Sequence, residues 1–377
     1  MAKKKKKTFS SFLKNPIDFT LLITILLLLS LGLIMVLSAS SPSALSESGN
    51  SYSYFYKQAI FAGAGLFMMW VISNIDYRFY QKYYKLVYII AFISLLAVPL
   101  IGREVNGAKR WIYITDSLSL QPSEVVKLLM IIFYATILVK DRDELEKYGK
   151  GFIKHLAILI PIIALLLIEP HFSASMVIIG IVSIMMIVAG TKFWHFLATG
   201  AVLGVPGIIA LIALEPYRLK RVITFLDPWK DSTGSGWQVI QSLYSIGSGG
   251  LFGVGLGESK QKYLYIPEPH NDFIFSILGE ELGFIGCAIV IILFGIFIWR
   301  GILIAMKSPD MFGSLVAIGI TTQIAIQVII NIAVVTSSMP ATGMPLPFFS
   351  YGGSSLFILL CEMGILLNIS KATKNKE

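Results

Sequence analysis

Long apolar segments recur along the whole chain and alternate with shorter polar ones. A helix needs about 20 apolar residues to cross the hydrocarbon core of a bilayer. On this criterion we predict ten membrane spans, near residues 18–40, 57–75, 83–101, 122–140, 152–168, 171–190, 193–214, 272–299, 312–336 and 352–370. The pattern predicts an all-α polytopic membrane protein in which residues 18–370 form a single transmembrane domain.

Composition agrees with this fold class. The chain is 55% hydrophobic and 14% charged, whereas soluble domains carry about 25% charged residues. Its two cysteines, Cys287 and Cys361, lie inside apolar spans, which argues against a disulfide framework or a zinc site. In a membrane protein, a net charge of +9 is first explained by basic loops that set the orientation and by attraction to anionic lipid. Nucleic acid is therefore not the expected partner.

The first apolar segment follows a basic stretch, as the core of a secretory signal would. Its apolar run of about 20 residues is longer than a signal core of 7–15 residues, and further spans follow it. We therefore interpret it as the first transmembrane helix, retained after a basic tail of residues 1–17.

Lysine and arginine in short loops predict the orientation, because cytoplasmic loops carry an excess of them. With ten spans, most basic loops fall on one side, which is then the cytoplasm, and both termini lie there. Residues 371–377 form the C-terminal tail. The basic residues on this side are Lys3 to Lys7, Arg78, Lys82, Lys85, Lys140 to Lys154, Lys192, Arg300, Lys307, Lys371, Lys374 and Lys376.

Two loops on the opposite, extracytoplasmic side are also basic, against this rule. They are the third loop, with Arg103, Lys109 and Arg110, and the large seventh loop at 215–271, with Arg218, Lys220, Arg221, Lys230, Lys260 and Lys262. One interpretation is that long loops translocate regardless of charge. The other is that these cations form an outward-facing site for an anionic, phosphorylated group.

The seventh loop is long and rich in aromatic residues, so we expect it to be ordered. Residues 237–246, WQVIQSLYSI, have the apolar spacing of a short interfacial helix. The GVGLG run at 253–257 could suggest a nucleotide loop, but no strand precedes it as that motif requires. A tight turn that needs positive φ angles is the favoured interpretation.

Three carboxylates, Asp272, Glu280 and Glu281, lie in the first part of the eighth span, in the sequence NDFIFSILGEELG. Asn271 or Asp272 could cap the helix. Asp272 also heads a stripe of small residues at helical spacing, Ser276, Gly279, Gly283 and Gly286, which would let another helix pack closely. Asp272 can also face the cations of the basic loop. For the deeper Glu280 and Glu281, hydrogen-bonded structural pairing and a proton or ion relay both remain open. His270 could bind a ligand or act as a base. Because no second histidine is nearby in the sequence, a metal site is not favoured.

Two further polar groups stand at span ends. Lys127, about one turn into the fourth span, either snorkels to the surface or pairs with a buried glutamate or an anionic ligand. Ser350 and Ser354, around the start of the tenth span, offer donors that suit an anion or simply cap the helix.

The longest motifs resemble one family. The segments NGAKRWI, QPSEVVK, FLDPWKDSTGSGWQ, GLGESKQKYLYIPEPHNDFIF, GEELG and PATGMPLPFFSYGGSS are similar, in order, to the SEDS family (shape, elongation, division, sporulation). Their wording is closer to the FtsW and SpoVE branch than to RodA. The chain departs from the family at Asn271, where a threonine is usual, and at EPHFSAS, where many members have Pro-Asp-Leu-Gly-Thr.

The resemblance implies a peptidoglycan glycosyltransferase that polymerises lipid II outside the membrane with a class B penicillin-binding protein and other divisome membrane proteins. Asp272 matches the family's essential aspartate, and we expect it to be the general base. The leaving pyrophosphate would then be stabilised by basic or polar side chains, for which the candidates are Arg103, Lys109, Arg110, Arg218, Lys260, His270, Ser350 and Ser354. Mg²⁺ or Mn²⁺ could share this task, but no carboxylate cluster in the outer loops specifies a metal ligand.

Two other functions remain open. A lipid II flippase would line its path with the same charges, and a non-catalytic divisome scaffold would need no aspartate at all.

Overall fold

The structure is a computed structural model that describes residues 16–105, 108–115, 118–207, 216–232, 234, 236–263 and 265–373. It is mostly helical, as expected. The α-helices are α1 Phe19–Ser48, α2 Ser53–Ile72, α3 Arg78–Lys82, α4 Tyr84–Ile101, α5 Pro122–Lys140, α6 Lys154–Ile168, α7 Phe172–Ala189, α8 Phe193–Thr199, α9 Pro216–Leu226, α10 Trp237–Ser248, α11 Ile274–Lys307, α12 Met311–Val335 and α13 Gly353–Thr373.

Nine helical segments within the described residues are long and apolar enough to cross a membrane, one of them α6 with the π-helical turn before it at Tyr148–Ile153. The prediction of a multi-pass membrane protein is therefore confirmed. The predicted seventh span, 193–214, begins with α8 and a π-helical turn at Gly200–Gly204, but residues 208–215 lie outside the described part. The tenth span and the shared side of the two termini stay predictions.

The third loop is a small antiparallel sheet, which the sequence interpretation did not include. Its strands are β1 Arg103–Val105, β2 Ala108–Thr115 and β3 Leu118–Leu120, in the order β1-β2-β3. The β2 sequence AKRWIYIT is rich in the aromatic and β-branched residues that favour strands. Strands of three to eight residues are too short to appear as 20-residue apolar runs.

Polar contacts join the helix ends on the side predicted to face the cytoplasm. Asp310 accepts from the Tyr77 hydroxyl at 2.6 Å and from Arg78 Nη2 at 2.8 Å. Lys371 Nζ donates to the Ser73 carbonyl at 2.9 Å. Some basic residues that indicate orientation therefore also tie neighbouring helices together.

Helix α11 is broken at Gly283, where φ is 64° and ψ is −164°. Residues 249–255, which we call the inserted segment, supply the backbone partners that the break removes. Val254 N donates to the Glu280 carbonyl at 2.9 Å, and Phe284 N donates to the Gly250 carbonyl at 2.9 Å. The glycine-rich run thus serves as a close-packed turn against a helix, which agrees with the interpretation that favoured a turn over a nucleotide loop.

The small-residue stripe of α11 faces α10 and the inserted segment. Ser276 and Ser242 hydroxyls lie 2.6 Å apart. A Cβ added to Gly279 would lie 3.3 Å from the side chain of Ile246. The predicted helix at 237–246 is present as α10, and this seam holds it beneath the segment that carries Asp272.

Candidate active site

Asp272 lies on the wall of a cleft of about 520 Å³, which we call the Asp272 cleft. A second cleft of about 460 Å³ adjoins it. The two share the lining residues Arg110, Trp111, Glu268, Asn271 and Tyr351. The sheet, α5, α9 and the loops before α7, α11 and α13 therefore converge on one concave site of the size that ligand pockets have.

Asp272 is partly buried, and the pKa of its carboxyl is higher than that of an ordinary aspartate. Burial raises its pKa to about 6; the charge of Glu268 adds to the rise and Arg221 opposes it. Of the two interpretations left open for this segment, capping of α11 by Asn271 or Asp272 is not observed: the helix begins at Ile274, the cap position is Phe273, and no side chain caps it. The Asp272 carboxylate is therefore not used for capping, and its pKa suits proton transfer near neutrality.

Arg110 is the predicted cation that the structure brings into the Asp272 cleft. It projects from β2, and its Nη2 donates to the Pro170 carbonyl at 2.5 Å. Lys109 and Lys260 are exposed, and Arg103 lies 5.0 Å over the Tyr113 ring. These three are not among the described residues that line either cleft.

Arg218 lies on α9, but its side chain is outside the described part of the chain. Its neighbour Arg221 lines the Asp272 cleft and donates through Nη1 to the Ala341 carbonyl at 2.7 Å. The sequence indicates Arg221 only as one of the basic residues of the seventh loop. The missing information was which face of α9 meets the cleft.

His270, Ser350 and Ser354 lie at or beside the second cleft. His270 is buried beside Tyr54, with ring centroids 4.7 Å apart, and burial lowers its pKa, so the ring is neutral near pH 7. Ser354 lines the second cleft. Ser350 Oγ instead donates to the Asn271 carbonyl at 2.6 Å and accepts from Leu346 N at 2.8 Å, so its hydroxyl is engaged within the protein.

Lys127 pairs with a glutamate and does not snorkel. Its ammonium lies 2.8 Å from Glu124 Oε2, and the Lys127 side chain is 1% exposed. Both residues line the Asp272 cleft. The pair adds a buried cation and carboxylate to the floor of the site, one helical turn from the start of α5.

Glu280 and Glu281 point away from the Asp272 cleft into the seventh loop. Glu280 accepts from Ser259 Oγ at 2.5 Å and from Lys260 N at 2.9 Å. Glu281 accepts from Ser38 Oγ at 2.6 Å and pairs with Lys262 Nζ at 2.9 Å. These contacts are those of structural anchors.

The cleft also contains residues that the sequence interpretation did not assign to it. Glu268, between two prolines, lines the cleft, and its negative charge raises the pKa of Asp272. His171, from the segment where the chain departs from its family, lines the wall, and burial lowers its pKa to about 3, aided by the nearby charges of Arg110 and Lys127. The departure at His171 was visible in the sequence, but its position in the cleft was not.

No three histidine, cysteine, aspartate or glutamate side chains among the described residues are grouped closely enough to hold a metal ion. Glu268 and Asp272 are nevertheless both in the Asp272 cleft. Oxygen ligands of this kind suit Mg²⁺, which usually binds through one or two carboxylates together with substrate phosphates.

Comparisons with known proteins agree with the resemblance. The family model for cell cycle proteins of the FtsW, RodA and SpoVE type matches residues 19–375. Stage V sporulation protein E of Bacillus subtilis is 44% identical over 327 residues, which cover 86% of this chain and 89% of that protein. A protein named probable peptidoglycan glycosyltransferase FtsW, from Trichlorobacter lovleyi, is 43% identical and covers 85% of each chain.

Solved structures show the same fold. A chain from a study titled as the structural coordination of polymerization and crosslinking by a peptidoglycan synthase complex has a TM-score of 0.79 and 28% identity, covering 95% of this chain and 98% of that one. The rod shape determining protein RodA of Thermus thermophilus has a TM-score of 0.67 and 26% identity, covering 94% and 96%. The chain belongs to the FtsW/RodA/SpoVE family of cell cycle proteins.

Proposed function

We propose that the chain is a peptidoglycan glycosyltransferase that polymerises lipid II into glycan strands on the outer face of the cytoplasmic membrane, during cell division or sporulation. Relatives that carry this activity in their names match more than four fifths of the chain. The side of the membrane rests on the loop-charge rule.

The observation that carries the mechanism is that Asp272 lines the same cleft as Arg110 and Arg221. Its carboxyl opens into a cleft between basic side chains, and its pKa of about 6 leaves it mostly ionised at pH 7 while keeping it a stronger base than an ordinary aspartate. In the reaction, a sugar hydroxyl of one lipid II attacks the anomeric carbon of the growing strand. Asp272 takes the hydroxyl proton as the new C–O bond forms.

The bond from the anomeric carbon to the lipid pyrophosphate breaks at the same centre, and its electrons leave with the pyrophosphate. Arg110 and Arg221 line the cleft that contains Asp272, so they can stabilise the departing charge. Lys127 adds a buried positive charge that Glu124 already balances. A divalent cation, when bound with the pyrophosphate, would supply further charge neutralisation.

A class B penicillin-binding protein is the proposed partner, with other divisome membrane proteins around it. Support comes from the structurally similar chain that belongs to a peptidoglycan synthase complex, in which polymerization and crosslinking are coordinated. The partner would crosslink the strands that this chain makes.

The test is to incubate the purified protein and its partner with fluorescent lipid II and to separate the products by size. Glycan polymer is the expected product. A parallel reaction with chelator reports whether a metal is required. Lipid II that crosses the membrane of liposomes containing only this protein, with no polymer formed under any condition, would favour a flippase. If neither polymer nor transport is detected, the result would favour the non-catalytic scaffold.

A further inference from the structure

Three consecutive backbone carbonyls at the Asp272 segment each accept a hydrogen bond from α12 or from the loop that follows it. Tyr351 N donates to the His270 carbonyl at 2.8 Å. Ser350 Oγ donates to the Asn271 carbonyl at 2.6 Å, and Asn331 Nδ2 donates to the Asp272 carbonyl at 2.7 Å. These carbonyls precede α11, so no helix bond holds them, and the three donors fix the segment instead.

Asn331 has the most demanding position of the three. It lies on α12, is 1% exposed, and donates simultaneously to the Asp272 carbonyl at 2.7 Å and the Met344 carbonyl at 2.8 Å. Met344 also lines the Asp272 cleft, on the α12–α13 loop. One planar amide group therefore sets the spacing between the segment that carries Asp272 and the facing loop. A carboxylate of the same size could not do so, because it has no donor.

A second amide extends the arrangement to α2. Gln58 is 1% exposed; its Oε1 accepts from Gly352 N at 3.1 Å and its Nε2 donates to the Ser350 carbonyl at 3.3 Å. Gln58 thus holds the backbone of the residues that in turn hold His270 and Asn271. A continuous chain of hydrogen bonds therefore runs from α2 through the α12–α13 loop to the segment that carries Asp272.

We propose that Asn331 is a positioning residue for the general base: by fixing the Asp272 carbonyl and the Met344 carbonyl together, it sets where the Asp272 carboxylate stands in the cleft. This inference rests on the proposed function of Asp272. An aspartate has only two side-chain torsions, so a fixed backbone restricts its carboxylate to a few sites. A misplacement of about 1 Å at a reacting centre can cost about 100-fold in rate.

The test compares kcat and KM for lipid II polymerisation in four variants. Asn331→Asp keeps the side-chain volume but removes the donor, and Asn331→Ala removes the amide altogether. Ser350→Ala removes a neighbouring donor independently. The matched control is Gln327→Ala, which deletes a buried amide one turn away on the same helix. Its Nε2 donates to the sulfur of Met344 at 3.8 Å and does not hold the Asp272 carbonyl.

We expect kcat to fall about 10–100-fold in both Asn331 variants and less in Ser350→Ala, with KM within about twofold of the wild type. Gln327→Ala should keep its kcat. Thermal unfolding in detergent identifies any variant that fails to fold, and where one Asn331 variant fails, the kcat of the other decides. Folded Asn331 variants with unchanged kcat, or an equal loss in Gln327→Ala, would overturn the inference. Asp272→Asn in the same assay separates the two proposals, because full activity there would remove the general base itself.

Discussion

Lys262 and Glu281 form a buried ion pair with an N–O distance of 2.9 Å, and their side chains are 4% and 0% exposed. Lys262 comes from the seventh loop and Glu281 from α11, just before the helix break. The ammonium also donates to Ser38 Oγ at 3.1 Å. The pair therefore joins α1, α11 and the loop that leads to Asp272.

Replacing Lys262 with methionine should destabilise the protein strongly, because Glu281 would remain as a buried charge without its cation. Removing one partner of a buried pair costs about 3–5 kcal/mol. The double variant Lys262→Met with Glu281→Gln should recover much of that loss. Unfolding in detergent, followed by temperature or denaturant, measures each change.

The control for this cycle is the exposed pair Lys192–Glu146, whose atoms lie 3.3 Å apart on side chains 57% and 72% exposed. Lys192→Met should change the stability by at most about 1 kcal/mol. A Lys262→Met variant as stable as Lys192→Met would show that the buried pair does not hold the loop.

Gly283→Ala should prevent the inserted segment from docking. Position 283 has a backbone conformation that is almost confined to glycine. An added Cβ would also overlap the backbone nitrogen of Gly253. We expect a loss of stability of at least about 3 kcal/mol, or no folded protein at all.

Gly295→Ala is the matched control on the same helix, since an added Cβ there meets nothing within 4 Å. It should be neutral or slightly stabilising, because alanine favours helix over glycine by about 1 kcal/mol. Equal effects at the two glycines would contradict the account of the break.

The acidic limb of the pH–kcat profile should move in opposite directions when the two charges near Asp272 are removed. Glu268 raises the Asp272 pKa and Arg221 lowers it. Because the base acts when it is deprotonated, Glu268→Gln should shift the limb to lower pH and Arg221→Met to higher pH. Both groups are exposed and screened, so we expect shifts of roughly 0.3–1 pH unit. Shifts in the same direction would contradict this electrostatic account.

Asp272→Asn should make the protein more stable at neutral pH. Burial raises the Asp272 pKa from 3.8 to about 6, so the folded state binds the proton more tightly than the unfolded chain. Stability is therefore lost as pH rises from about 4 through about 6. At pH 8 the ionised group costs up to about 3 kcal/mol, which corresponds to a Tm several degrees higher in the variant.

The pH dependence of that Tm difference supplies the control. The difference between Asp272→Asn and the wild type should be largest at pH 8 and should narrow at pH 5, where most of the native carboxyl is protonated. A difference that stays constant between these pH values would mean that ionisation is not its cause.

Nine of the ten predicted spans correspond to described helices, because such spans and the place of Asp272 just before α11 depend on local patterns. The sequence could not choose among Arg103, Lys109 and Arg110, since the choice depends on β2. Neighbouring strand residues point to opposite faces, so Arg110 can reach the cleft while Lys109 does not. Without a predicted strand, there was no basis for distinguishing the two.

The contacts of Glu280, Glu281 and Asn331 were out of reach for a different reason. The loop partners of the two glutamates lie 19 or 20 residues away, Ser38 is 243 residues from Glu281, and Asn331 is 59 residues from Asp272. Helical spacing indicates which residues share a face but not which loop returns to it. The same limit applies to Ser350, whose predicted anion contact competes with its bond to the Asn271 carbonyl.

The central claim is that Asp272 is the general base, and the polymerisation rate of Asp272→Asn tests it most directly. The measurement uses purified protein with its partner, lipid II in excess and pH 7.5, beside the wild type. The account predicts a rate at least about 100-fold lower in a variant that folds at least as well as the wild type. A folded Asp272→Asn protein that polymerises lipid II within about twofold of the wild-type rate would contradict it.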